Sequence, residues 1–159
     1  CKESKECLNG IDFLNKANWR FPEKAELYAI KADLYRKIKD YDNAIKEYDN
    51  ALNYEGDNYT YYVLRAKIKA LKGDIQGALN DYNGAINLNP DNYELYAQRA
   101  FFYFEKKNFS NALQDYENAI KLNPKKGHLY YMTACMQKLM NLNSEAELNF
   151  KKAKNLGIF

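Results

Sequence analysis

Few residues in this sequence are of types that do chemistry, and they are scattered. There is one histidine, His128, and three cysteines, Cys1, Cys7 and Cys135, with no spacing typical of metal ligands. A structural zinc site needs four thiolate or imidazole ligands brought together. Three dispersed thiols cannot build a disulfide framework either. Nucleophilic and acid–base catalysis both need grouped side chains, and His128 has no paired Cys or Ser motif. Gly73 and Gly77 sit four residues apart, but in a helical stretch rather than after a strand, so they form no phosphate-binding loop. The expectation is a chain that is not an enzyme, with no catalytic residue, no cofactor and no metal. With 24 basic and 21 acidic residues, the net charge of +3 is too balanced to point to nucleic acid or an anionic surface. No apolar run approaches the roughly 18 residues of a spanning helix, so no transmembrane segment is expected.

The elements that must position any surface site follow from an internal repeat. Ala78 to Pro90 (ALNDYNGAINLNP) aligns with Ala112 to Pro124 (ALQDYENAIKLNP) at a shift of 34 residues, and such a period is the mark of a repeat architecture. That register makes columns of Ala32, Ala66, Ala100 and Ala134; of Ala44, Ala78, Ala112 and Ala146; and of Ala17, Ala51, Ala85, Ala119 and Ala153. Two aromatic columns accompany them: Tyr28, Tyr62, Tyr96 and Tyr130, then Tyr48, Tyr82, Tyr116 and Phe150. Within each unit these residues recur at steps of three and four, on one helix face. Ala marks helix crossings, where two axes approach closely and the neighbouring ring fills the groove. Short polar turns at Lys39-Asp40, Gly73-Asp74, Lys107-Asn108 and Asn141-Leu142-Asn143 join antiparallel neighbours. Pro90 and Pro124 follow second helices, with Pro22 in the same register and Gly56 replacing Pro once. Helices are expected at 6–19, 25–38, 41–54, 59–72, 75–88, 93–106, 109–122, 127–140 and 143–156, with no strands.

This pattern of aromatic, small residue, paired Ala and closing Pro resembles the tetratricopeptide repeat family. The resemblance covers four repeats, 25–58, 59–92, 93–126 and 127–159, with 1–24 as a partial repeat that supplies one second helix. It implies an all-α, right-handed superhelical solenoid of antiparallel helix hairpins. It also implies a protein-interaction module, an adaptor or scaffold, that holds a peptide or partner helix in a concave groove lined by the first helix of every repeat. On helical spacing those faces are Glu26, Ala29, Ile30, Asp33 and Arg36; Thr60, Val63, Leu64, Lys67 and Ala70; Glu94, Ala97, Gln98, Phe101 and Phe104; and His128, Tyr131, Met132, Cys135 and Lys138. The candidate groove residues are Leu64, Lys67, Phe101, Phe104, Tyr131, Met132 and Cys135, an apolar floor of the kind that marks a binding site. Phe101 and Phe104 have a second reading, as packing between adjacent hairpins. Family members that grip a chaperone C-terminal carboxylate use a Lys, Asn and Arg cage. The matching positions here hold Ala29, Asp33, Leu64, Glu94 and Gln98, or one repeat on Val63, Lys67, Gln98, His128 and Met132, and neither set supplies a cationic cage, so a chaperone tail is not the expected ligand.

Charge is uneven, −3 over residues 25–58 and +2 over both 93–126 and 127–159, as expected of a solvated surface. Most tyrosines are taken up by the repeat columns, so no nucleic-acid partner is expected. His128 is expected at a helix start on the surface, Cys7 buried, and Trp19 sealing the junction of the partial repeat with the first full hairpin.

The first residue is Cys, preceded by no Met or signal peptide, and the polar segment Lys2-Glu3-Ser4-Lys5 leads into the first helix. Either the chain is a fragment of a longer one, or Cys1 is the lipid-bearing first residue of a mature bacterial lipoprotein. The second case places it in the cell envelope and the first in the cytoplasm. At the other end, no polar capping helix follows 143–156 to cover Leu142, Leu148, Leu156 and Phe159. This motivates the alternative function, a structural repeat protein that forms a homodimer through its C-terminal helix.

Overall fold

The computed structural model describes residues 2–158, and Cys1 and Phe159, with the expectations that fall on them, lie outside the described residues. Nine helices and no strand occur among the described residues: α1 (Lys2–Arg20), α2 (Ala25–Lys37), α3 (Tyr41–Tyr54), α4 (Tyr59–Lys72), α5 (Ile75–Leu88), α6 (Tyr93–Glu105), α7 (Phe109–Leu122), α8 (Gly127–Leu139) and α9 (Asn143–Asn155). They form two compact units, Cys1–Leu88 with α1 to α5 and Asn89–Phe159 with α6 to α9. In the first unit α2 packs on α3 and α4 on α5 as hairpins, with α1 against α2 and α3 against α4; in the second, α6 pairs with α7 and α8 with α9, with α7 against α8.

The alanine columns are the crossings. Ala32, Ala66, Ala100 and Ala134 are wholly buried, as are Ala44, Ala78, Ala112 and Ala146 and, from the third column, Ala51, Ala85, Ala119 and Ala153. In the first unit Tyr48 and Tyr61 stack on Ala25, Ala32 and Ala51 to make the core; in the second, Tyr116, Leu129 and Met136 do the same around Ala100, Ala112 and Ala119. Each hairpin turns through one residue of positive φ at a fixed register: Lys39 at 63°, Gly73 at 93°, Lys107 at 59° and Asn141 at 63°. Only Gly73 is free of the steric cost of that conformation. The residue after three of these turns caps the second helix, with Asp40 accepting from Asn43 N at 3.2 Å, Asp74 from Gly77 N at 2.9 Å and Asn108 from Asn111 N at 3.3 Å. Asn58 and Asn92 cap first helices in the same manner.

Three expectations are corrected here. Helix α1 begins at Lys2 rather than residue 6, so the Lys2-Glu3-Ser4-Lys5 segment belongs to the helix and does not precede it. Trp19 is 88% exposed and seals nothing. Its register mates are Asn53, Asn87, Lys121 and Asn155, all exposed, so the fold sends this position to solvent whatever its side chain. The buried residues of α1, which packs against α2, are instead Cys7, Ile11, Leu14 and Asn18. Gly10, where a Cβ would come within 2.9 Å of Leu34 Cδ1, allows the close approach. The third correction is Val63, assigned to the groove face but buried. Its register mates Ala29, Ala97 and Tyr131 are half-buried, so this position borders the core.

Candidate functional site

The candidate residues fall into two groups, one in each unit. In the first, Leu64 on α4 is half-buried against the core of Ala25, Ala32, Tyr61 and Ile68. Lys67, one turn on, is exposed, yet the surface about its ammonium withholds enough water to lower its pKa from the usual lysine value.

In the second unit the structure brings five candidates onto one apolar cluster or its edge. Phe104 on α6, with Met132 and Cys135 on α8, packs half-buried on Ala100, Leu129 and Met136. Phe101 is 48% exposed, its ring 6.2 Å from that of Phe104, which in turn lies 6.1 Å from Phe109. Tyr131 stands edge-on to Phe150 at 5.7 Å, and the charge and hydrogen bonding of Cys135, one turn away, raise its pKa. Phe101 is thus exposed, whereas Phe104 is half-buried and shares in the packing of that cluster. Among neighbouring face residues, His128 is exposed at the start of α8, and Gln98 Oε1 is buried with no hydrogen-bond partner.

A column of buried charge is the feature missed in reading the sequence. Lys31 Nζ lies 3.0 Å from Glu47 Oε1; Arg65 holds Asp81 through Nε at 2.9 Å and Nη2 at 2.7 Å; Arg99 holds Asp115 with both bonds at 2.7 Å. Each cation is on a first helix and each carboxylate sixteen residues later on the second helix of that hairpin. In the first unit the cations also reach back to the preceding second helix, Lys31 to Asn15 Oδ1 at 3.2 Å and Arg65 Nη1 to Asp49 Oδ1 at 2.6 Å. Lys69 adds a 2.9 Å contact to Asp81. Burial by itself would lower the Arg65 pKa, but the hydrogen bonds and charges of Asp81 and Asp49 more than offset it, and the pKa is raised. Each cation also lies over the ring three residues before it, Lys31 over Tyr28 at 5.5 Å, Arg65 over Tyr62 at 5.4 Å and Arg99 over Tyr96 at 5.9 Å. The signal was present in the sequence, since residues 31, 65 and 99 are all cationic and 47, 81 and 115 all acidic. These ions are structural. A polar hollow of about 140 Å³ lined by Arg99, Tyr103, Asn111, Gln114, Asp115 and Asn118 has its two charges already bound to each other.

The sequence profile of the tetratricopeptide repeat matches residues 13–152. This chain belongs to the tetratricopeptide repeat family. Solved structures share the fold: a MamA protein, 20% identical over 92% of this chain and 85% of that one with a TM-score of 0.79; YrrB, described as a TPR protein with an unusual peptide-binding site, 17% identical over 96% and 79% with a TM-score of 0.73; and the C-terminal part of a TPR repeat-containing protein from Cytophaga hutchinsonii, 20% identical over 96% and 60% with a TM-score of 0.82. No curated protein sequence matches the chain. As a tetratricopeptide repeat protein it is a protein-interaction repeat module, and no described helix is long and apolar enough to cross a membrane.

Proposed function

We propose that this chain is a noncatalytic adaptor that holds an apolar segment of a partner protein on the first-helix faces of its hairpins. The observation that carries this reading is the aromatic surface of the second unit, where the exposed Phe101 ring lies against Phe104, which packs on the same cluster as Met132 and Cys135 of α8. A contiguous apolar patch left open to water, rather than a single exposed side chain, is what marks a docking surface. Leu64 and Lys67 present the corresponding face of the first unit. Similarity in fold to YrrB, described by its peptide-binding site, supports a peptide as the ligand class.

Each Leu or Phe side chain of such a segment gains roughly 1.5 to 3 kcal/mol on burial before ordering costs. Binding is therefore expected to tolerate salt. An acidic peptide drawn to Lys67 and Lys138 would instead lose affinity steeply as ionic strength rises. Peptides selected from a random display library on the intact chain test this by titration. Apolar consensus sequences whose affinity survives high salt and is lost in Phe101→Asp and Tyr131→Asp support the reading; acidic, salt-sensitive binders unaffected by those substitutions overturn it.

A second reading, self-association through α9, draws on the exposure of Leu142, Leu148 and Leu156. Against it, the positions that α3, α5 and α7 fill with Tyr41, Ile75 and Phe109, with Ile45, Leu79 and Leu113, and with Leu52, Ile86 and Ile120 are Asn143, Glu147 and Lys154 in α9. That face of α9 is therefore polar and offers less apolar area to a second copy than the same face of α3, α5 or α7 would.

A further inference from the structure

Trp19 is 88% exposed, and the fold does not ask for a large ring there. The position is open for a reason independent of where the chain begins. Asn53 and Asn87 hold the same register place at the ends of α3 and α5, in hairpins with both helices present, and both are exposed. A first helix paired with its second therefore leaves this position in water. Phe21, two residues on, is 41% exposed, and Arg20 and Lys24 lie over its ring at 5.6 and 5.1 Å. At the same register, 53–58 and 87–92 read NYEGDN and NLNPDN, acidic and without a cation, and 121–126 reads KLNPKK, basic but without an aromatic ring. Only 19–24, WRFPEK, joins two large rings to two cations.

The patch is held in place by its backbone. Phe21 N donates to the Ala17 carbonyl at 2.9 Å, and Lys24 N to the Phe21 carbonyl at 3.2 Å. Arg20 and Lys24 are exposed and in no ion pair among the described residues, whereas Lys16, one helical turn back, is paired with Asp12 at 3.0 Å. Glu23 is the one acid of the segment. Trp19 stands out from a helix end instead of flooring a groove, which suits a soft, flat medium better than the fixed surface of a protein. At a bilayer surface Trp settles at the headgroup level, its ring among the upper acyl carbons and its N–H in the wet layer, while Arg and Lys are drawn to anionic lipid.

We propose that residues 19–24 dock this chain on an anionic lipid surface, with the Trp19 and Phe21 rings in the headgroup layer and Arg20 and Lys24 on lipid phosphates. Adsorption of this kind is peripheral and needs no spanning helix. The cations draw the chain to the surface and the rings hold it there, so the two pairs of residues act together. The docking is independent of the groove reading, because no groove residue takes part.

Trp19 is the single tryptophan of the chain, so its emission reports this patch alone. Vesicles of phosphatidylcholine with about one-third phosphatidylglycerol should shift that emission to the blue and shield it from acrylamide, and vesicles of phosphatidylcholine alone should bind about tenfold or more weakly. By co-sedimentation, Trp19→Asn, which places there the residue type of Asn53 and Asn87, should weaken adsorption by about tenfold or more while thermal unfolding stays that of the parent. Arg20→Gln with Lys24→Gln should weaken it by about 25-fold, roughly fivefold for each charge. Phe101→Asp, which tests the groove, should leave it unchanged. Emission that ignores every vesicle overturns the proposal, even where the chain sediments with them. So does adsorption indifferent to Trp19→Asn, to the loss of the two cations or to the lipid charge. An emission that shifts with protein concentration alone assigns the patch to a second copy and overturns the proposal as well.

Discussion

The α4–α5 and α8–α9 hairpins share their crossings and differ in what lies beside them. Ala66 and Ala78 in one, and Ala134 and Ala146 in the other, are wholly buried. Beside the first pair, Arg65 ties Asp81 and Asp49, and Lys69 joins Asp81. Beside the second, the cation's place is taken by Thr133, whose hydroxyl donates to the Leu129 carbonyl at 2.9 Å, and the acid's by Asn149, whose amide donates to Gln137 Oε1 at 2.9 Å. Lys152 of α9 lies over Tyr130 at 5.5 Å, in the manner of Arg65 over Tyr62. The same helix pair is thus built with ions and without. The small columns set the crossing, and the polar column needs only to be satisfied.

The largest effect is expected where satisfaction is withdrawn from charge. Asp81→Ala leaves the half-buried Arg65 and Lys69 without the acceptor they share, with Asp49 still holding Arg65, which should cost about 2 to 4 kcal/mol of unfolding free energy in a urea titration. A loss under about 1 kcal/mol would mean that the ionic hairpin is no more dependent on its polar column than the neutral one.

The crossings should not distinguish the two hairpins. Ala66→Leu and Ala134→Leu each force extra methylenes between wholly buried helix axes and should each cost about 1 to 3 kcal/mol. Equal losses, measured by the same titration, support a shared geometry. A tolerated Ala134→Leu would show that the ion-free hairpin is also the looser one.

How much of this was legible beforehand depends on the kind of residue. The helices were legible because Ala and Tyr at fixed spacing state the crossing directly, and eight of nine helices start where the register puts them. The start of α1 was not, because polar residues are as compatible with a first turn as with a leader. Lys31, Arg65 and Arg99 were passed over because charge on helices is ordinarily solvated, and only a three-way column of cation, ring and acid says otherwise. Trp19 was assigned inward on its chemistry, while its column of Asn53, Asn87, Lys121 and Asn155 pointed outward. Of the groove, the face was legible and its border was not, as Val63 shows.

The α8–α9 hairpin also differs from α2–α3 and α6–α7 by a hydroxyl. Tyr48 and Tyr116 are pushed up to about 12 by burial, whereas the last hairpin has Phe150 in that column. A tyrosine whose folded pKa lies above its unfolded value stabilises the fold fully below pH 10 and loses that contribution as pH rises toward 12, because the unfolded state releases its proton first. Stability should therefore fall across this window, by on the order of 1 kcal/mol per tyrosine at pH 11 after allowance for solvent screening. Tyr116→Phe should flatten the fall in alkaline urea titrations. An unchanged slope would mean that the ring is hydrated and that α6–α7 and α8–α9 are alike in this respect.

The smallest effect should come from the counterpart of Asp81 in the neutral hairpin. Asn149→Ala removes one amide hydrogen bond and leaves the buried Gln137 short of a donor. Gln137 is neutral, and its flexible amide can turn toward the solvent that enters beside the shortened side chain, so the loss should be about 1 kcal/mol, a few-fold below that of Asp81→Ala. The ratio of the two losses, more than either alone, measures what charge adds to one column of the same fold. If Asn149→Ala costs as much as Asp81→Ala, position and not charge sets the dependence, and the ions of the earlier hairpins are replaceable by any fully bonded pair.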